Sequence, residues 1–436
     1  MNDQPYGIPP KFWPPKLTPW WFRMLAPMRR SALKKQRMSD VELRGTDQLA
    51  RAVDNGCGVL ITPNHSFHWD SYCLIQSAER LRIPFYFMSA WQVFSASRWF
   101  ECESMQRCGC FSVDREGTDI QSLKMAVDIL QSKKNPLVIF PEGDIYHTND
   151  AITPFRDGAA AIALMAARKS ERPICILPVA IKRWYIEDPT PSVLQTIAKI
   201  EQRMLWDPKP HLPIVERVLN IAQGLIALKE TEYLQSQQSG TLAERIGRLT
   251  NYLLEKAESR YGLQPKSDFV PDRIKEVRRA IISLREQLQT TSTAEQQEHW
   301  NRDMHTMFLA TQLFSYPGNY LLNEPSIERI VETVDKLEED IMGAIYPTVH
   351  GEKRVVVQFD TPIHLPNGKE RKLSAADLTD KVEQRVQSMI DHLNVSSESG
   401  IQPDVQVSRW RGSSVIDGSA LALPMFYTIP SLFPTS

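Results

Sequence analysis

Val59-Leu60-Ile61-Thr62-Pro63-Asn64-His65-Ser66-Phe67-His68-Trp69-Asp70 is an apolar run that breaks into a turn dense with polar side chains. A second run, Leu137-Val138-Ile139-Phe140, breaks in the same way into Pro141-Glu142-Gly143. Short apolar runs bounded by turn residues read as buried strands. In an open α/β sheet the turns at the carboxyl ends of strands share one edge, and ligands bind there. The two runs therefore predict two strands that deliver two polar turns to one place.

The first turn carries its own chemistry. His65 and Asp70 are five positions apart, which is about 140° around an ideal helix, so they do not share a face of one regular helix. They meet if His65 sits in the turn after the strand and Asp70 falls in the first helical turn. Asp70 then accepts the Nδ1 proton and leaves Nε2 to deprotonate a substrate hydroxyl. No Ser or Cys nucleophile is required, because the substrate alcohol itself attacks. The alternative from this turn alone is that His65 and Asp70 only cap a helix.

Three further blocks follow: Gly109-Cys110-Phe111-Ser112-Val113-Asp114-Arg115, Phe155-Arg156-Asp157-Gly158 and Ile176-Leu177-Pro178-Val179-Ala180. With the two turns, they resemble the pattern of the glycerolipid acyltransferase family, which includes the lysophosphatidate and glycerol-3-phosphate acyltransferases. That pattern is His-x4-Asp, a Gly-to-Arg block, Phe-Pro-Glu-Gly and a strand with Pro-Val, and the resemblance covers residues 40–185.

The resemblance implies an α/β fold, a mixed β-sheet flanked by helices, and acyl transfer from a thioester to a hydroxyl. The donor would be acyl-CoA or acyl-carrier protein. The acceptor would be a glycerolipid such as lysophosphatidate, in phospholipid or related lipid biosynthesis. His65 would be the base and Asp70 its orienter. Asn64, Arg115, Glu142, Gly143, Arg156 and Pro178 would bind substrate. Arg115 would hold an anionic head, as a guanidinium does well, and Gly143 would allow close backbone approach. Pro178 would lie near the acyl chain. Arg156 stands where the family usually has Lys. No cofactor and no metal are implied. One departure stands out. The family commonly continues Thr-Arg-Ser after Glu-Gly, whereas this chain reads Asp144-Ile145-Tyr146-His147. An anion contact is thereby lost and a negative charge gained. Either the acceptor is less anionic, or Arg115, Arg156, Lys182 and Arg183 supply the positive charge. His147 and Asp150 are candidate site residues, against the alternative of a solvated loop.

Composition bounds the rest. A chain of 436 residues with net charge −1 has room for a full core and does not read as a general nucleic-acid binder. The six cysteines (57, 73, 102, 108, 110 and 175) lack zinc spacing and read as buried free thiols. No secretory signal or membrane-spanning run is read, and a cytoplasmic protein peripheral at the membrane is expected. Residues 1–40 form an aromatic, basic segment. Phe12, Trp13, Trp20, Trp21 and Phe22 precede Arg23, Arg29, Arg30, Lys34, Lys35 and Arg37. Such a segment suits a membrane interface, or else its aromatics pack onto the domain.

The catalytic core is expected over 41–189, interrupted by a helical insertion over 190–350. The insertion shows a capping box at Thr241–Glu244. It also carries apolar stripes through Leu242, Ile246, Leu249, Leu253 and Ala257, through Ile274, Val277 and Ile281, and through Ile327, Val331, Val334 and Leu337. His299 and His305 are expected at the surface. A strand at 355–359 and an amphipathic helix would close the core over 351–395, and 396–436 would be a partly disordered tail. Two other functions compete with acyl transfer. One is a metal hydrolase suggested by His65, His68 and Asp70. The other is an idle lipid- or partner-binding protein of the same fold.

Overall fold

The computed structural model describes residues 10–38, 41–117, 119–288, 291–366 and 373–398. The tail expected over 396–436 lies outside the described residues except for the last turn of the final helix.

The chain opens with two short helices, α1 (Pro19–Met24) and α2 (Ala26–Lys35). It continues through β1 (Val41–Arg44), α3 (Thr46–Asp54), β2 (Gly58–Pro63), α4 (Asp70–Leu81), β3 (Tyr86–Ala90), α5 (Trp91–Ala96), α6 (Trp99–Arg107) and β4 (Cys110–Val113). Next come α7 (Ile120–Ser132), β5 (Leu137–Val138), α8 (Gly158–Lys169) and β6 (Ile174–Tyr185). Six helices follow before the next strand: α9 (Thr190–Arg203), α10 (Ile214–Leu234), α11 (Leu242–Arg260), α12 (Val270–Gln287), α13 (Ala294–Phe314) and α14 (Ile327–Met342). The chain then returns through β7 (Lys353–Phe359), β8 (Ile363–Leu365) and α15 (Ala375–Glu398).

Among the described residues the strands form one eight-stranded mixed sheet, in the order β1-β7-β6-β2-β5-β3-β4, with β8 also on β6. The central strands are apolar on both faces because helices cover both faces. Val59 and Ile61 of β2 point into a core shared with α4 and α6. Leu60 points the other way, into a core with α7, α8 and α15.

Strand β7 lies antiparallel to β6, from Val179↔Phe359 to Tyr185↔Lys353, and parallel to β1. The chain thus leaves the sheet after Tyr185, builds six helices, and re-enters beside the residue it left. Pro178 sits inside β6, where a proline lacks a ladder donor. It falls where the antiparallel neighbour changes from β8 to β7, and its carbonyl accepts the Asp360 N–H at 3.0 Å.

The six intervening helices bury apolar stripes against one another. Val193, Ile197, Val218, Val331 and Val334 share one cluster, and Leu254, Ile274, Val277, Ile281 and Met307 another. The Thr241–Glu244 capping box is formed, with the Thr241 N–H donating to Glu244 at 2.8 Å and the Glu244 N–H to Thr241 at 3.3 Å. Buried pairs Arg217–Glu201 (2.6 Å) and Arg245–Glu230 (2.7 Å) tie neighbouring helices. His299 and His305 are exposed.

Candidate active site

Strand β2 ends at Pro63, and the turn 64–69 leads directly into α4 at Asp70. One carboxylate oxygen organises that turn. Asp70 Oδ2 accepts the backbone N–H groups of Ser66 and Phe67, each at 2.8 Å, and lies 3.2 Å from His65 Nδ1. Asp70 is fully buried at the N-terminus of α4, where a negative charge is favoured. The His65 ring is held from the other side by Phe140, at 4.0 Å between centroids and 28° between planes. With Nδ1 on Asp70, Nε2 is the ring nitrogen left for chemistry.

The second turn buttresses the first. Glu142 accepts the His65 N–H at 2.6 Å and the Thr153 N–H at 3.0 Å. Burial raises its carboxyl, and although both N–H donors pull the other way, the pKa stands at about 8. Gly143 has φ of +78°, and a Cβ there would come within 2.9 Å of Arg156 Nε. Glycine at this position therefore relieves backbone strain and also makes room for Arg156.

His65 lines a cavity of about 810 Å³. Ile75, Phe87, Met88, Val93 and Met165 give it apolar lining. Arg115, Asp144, Arg156 and Lys275 add charge to its lining. Arg115 donates to the Gly143 carbonyl and stands 3.9 Å from Asp144. Burial pushes the Asp144 carboxyl up, but the Arg115 and Arg156 guanidinium groups and the Ile145 N–H together hold the group below its usual range. Burial and the nearby Arg279 pull Lys275 below the usual lysine range.

Several expected site residues stand elsewhere. Asn64 does not line the cavity. Its buried amide donates to the Ile181 carbonyl at 3.0 Å and accepts the Ile181 N–H at 2.7 Å, clasping β2 to β6. Pro178 lies within the sheet, away from the cavity, because it serves the strand change. Glu142 acts from behind the cavity wall, through the His65 backbone. Lys182 and Arg183 do not supply charge to the cavity. Lys182 is buried on Asp150, and Arg183 lies 3.6 Å from Glu332. The segment holding His147 and Asp150 is not a solvated loop. Both residues are buried, His147 against Glu339 at 3.2 Å and Asp150 against Lys182 and Arg329. Their polarity reads as exposure in the sequence only because the partners lie far along the chain.

Two contributors were missed. Lys275 on α12 and Glu339 on α14 reach the cavity from the helical segment. A single charged residue on an amphipathic helix carries no sequence signal that it will face a site.

Residues 40–182 match the family model described as Acyltransferase. This domain belongs to the glycerolipid acyltransferase family. No curated protein matches the chain. The acyltransferase match ends within β6, so β7, β8 and the six helices lie beyond it. All six cysteines of the acyltransferase are free thiols, five of them buried. No helix among the described residues is long and apolar enough to cross a membrane.

Proposed function

We propose that the chain transfers a fatty acyl group from acyl-CoA or acyl-carrier protein to a hydroxyl of a glycerolipid-type acceptor such as lysophosphatidate, in phospholipid or related lipid biosynthesis. The observation that carries this reading is His65, backed by Asp70, on the wall of a cavity whose lining combines apolar side chains with three cations. His65 Nε2 takes the hydroxyl proton as the acceptor oxygen attacks the thioester carbonyl carbon. The tetrahedral adduct then collapses, the C–S bond breaks, and the imidazolium returns its proton to the departing thiolate. Asp70 fixes the ring orientation and stabilises the positive charge.

The apolar side chains Ile75, Phe87, Met88 and Met165 suit the acyl chain. Arg115, Arg156 and Lys275 suit an anionic head, with Arg115 and Arg156 able to fork onto phosphate oxygens. Asp114, Asp119, Asp144, Asp157, Asp272 and Glu339 also line the cavity, so a phosphorylated acceptor depends on those three cations outweighing the acids around it.

We further propose that the protein is cytoplasmic and peripheral at the membrane. Trp20, Met24 and Met28 of the N-terminal helices are exposed, and so are Trp99 and Phe100 of α6. Trp21 and Phe100 lie 6.1 Å apart, joining the two groups into one face. Arg23, Arg30, Lys34 and Lys35 are exposed nearby in sequence. Aromatics beside cations suit an anionic bilayer surface.

The test is thiol release from acyl-CoA and acyl-carrier protein in the presence of lysophosphatidate, glycerol 3-phosphate or an uncharged monoacylglycerol. Acceptor-dependent release with a new ester product is expected. Release with no acceptor dependence would overturn the reading.

A further inference from the structure

His68, His147 and Glu339 come from three places that are remote in sequence: the turn after β2, the segment after β5, and α14 of the helical segment. Their ligand atoms all lie within 4.8 Å of one another. Glu339 Oε1 is 2.6 Å from His68 Nε2 and 3.2 Å from His147 Nε2. The two imidazole rings stand 5.4 Å apart at 67°. His147 is buried at 3 % exposure, and Nδ1 of its ring has no hydrogen-bond partner. Its backbone adopts φ of +55°, in the left-handed region that non-glycine residues enter uncommonly.

We propose that these three side chains form a binding site for a divalent transition metal ion of the zinc class. Two imidazole nitrogens and one carboxylate oxygen are a donor set that zinc accepts, with a fourth position left for water or another ligand. Donors held about 2.0–2.1 Å from a tetrahedral ion sit roughly 3.3 Å from one another. The His147–Glu339 separation already has that value. The His68–Glu339 separation has to open by about 0.7 Å, within reach of a small rotation of the His68 ring.

The ion would tie α14 to the turn that carries His65, three residues before His68. It would hold the helical segment over the cavity that His68 and Glu339 both line. This inference stands apart from the acyl-transfer reading, because its test reads metal content and stability.

Two other groupings are weaker candidates. Asp335, Glu338 and His350 offer a single imidazole, and its Nδ1 is 2.9 Å from Ser192 Oγ. Cys57, Cys175 and His364 include an exposed histidine.

The full-length chain, stripped with a chelator and dialysed, is titrated with Zn²⁺ by calorimetry, and its metal content and Tm are measured. A single saturable ion per chain and a rise in Tm with added Zn²⁺ are expected. His147→Ala and the near-isosteric Glu339→Gln should each weaken binding by at least about tenfold and abolish the Tm rise. Co²⁺ in place of Zn²⁺ should give ligand-field bands without thiolate charge transfer, which separates this site from the cysteine pair. No saturable binding by the wild type overturns the proposal. So does binding that Glu339→Gln and His147→Ala leave unchanged, or a thiolate signal with Co²⁺.

Discussion

Asp70 Oδ2 serves His65 twice, once through Nδ1 of the ring at 3.2 Å and once by fixing the peptide that follows it, through the Ser66 N–H at 2.8 Å. The carboxylate therefore sets both the tautomer of the imidazole and the path of the backbone bearing it. His65→Ala should lower turnover about 10²–10⁴-fold with little change in Tm, as expected for loss of a general base. Asp70→Asn should cost a similar or smaller factor in turnover, but should also lower Tm, because a charged acceptor of two backbone donors is lost. Near-wild-type turnover in purified His65→Ala would remove the base from the mechanism.

Arg115 and Lys275 approach the cavity from different elements. Replacing either by Ala should raise KM for a phosphorylated acceptor about tenfold or more while changing an uncharged acceptor little, since only the phosphate loses a charge-assisted contact. Steady-state kinetics with the two acceptors in parallel decide it. Equal losses on both would assign these cations to the fold.

Glu142 ties the two turns together and carries a pH signature. Its pKa is raised from 4.5 to about 8 in the folded chain, chiefly by burial. The folded state therefore holds this proton over a range where the unfolded chain has released it. The stabilisation is fully present below pH 4.5, is lost progressively as pH rises, and is gone above about pH 8. Glu142→Gln has no such proton. The stability difference between wild type and variant should shift against the wild type by a few kcal/mol, on the order of the linkage for such a shift, between pH 5.5 and about 8. Denaturant melts at several pH values measure this, and parallel curves would refute it.

A fragment of residues 1–190 should not unfold cooperatively. It would leave β6 without the partner it has from Val179 to Tyr185, and β1 without the strand it pairs with. An open edge and the uncovered apolar face of β6 favour aggregation over folding. A soluble 1–190 fragment with a sharp thermal transition would show that residues beyond it form a separate domain.

Exposed Trp20 and Trp99 should anchor the membrane face. Replacing both by Ser should reduce co-flotation with vesicles containing anionic lipid, while leaving thiol release from a short, water-soluble acyl-CoA unchanged. Undiminished flotation would move the contact elsewhere.

What the sequence disclosed follows distance along the chain. The His65–Asp70 contact spans five residues, and the Thr241–Glu244 box spans three. Both were legible because local geometry alone brings such groups together. The paired strands β2 and β5 were legible because burial on both faces leaves continuous apolar runs, although the ladder of β5 is only Leu137–Val138. Asn64 and Pro178 belong to the same motifs, yet their work is architectural, and no motif separates a residue that holds a wall from one that faces the cavity. His147 and Asp150 read as solvated because their counter-charges come from positions 339, 182 and 329. Lys275 was invisible for the same reason.

The position of β7 also sets an order of events during synthesis. Among the described residues, Val41 in β1 is paired only with β7, at Val355. A ribosome adding about 5–20 residues per second needs roughly 15–60 s to make the intervening chain. Throughout that interval β1 has no strand to pair with, and the flank of β6 that will receive β7 lies open. The six helices, which bury apolar clusters against one another, can collapse first and bring Lys353 back beside Tyr185. Completion of the sheet is thus a late step, gated by the folding of the helical segment. A nascent chain stalled before residue 359 would be a client for holding chaperones rather than a working transferase.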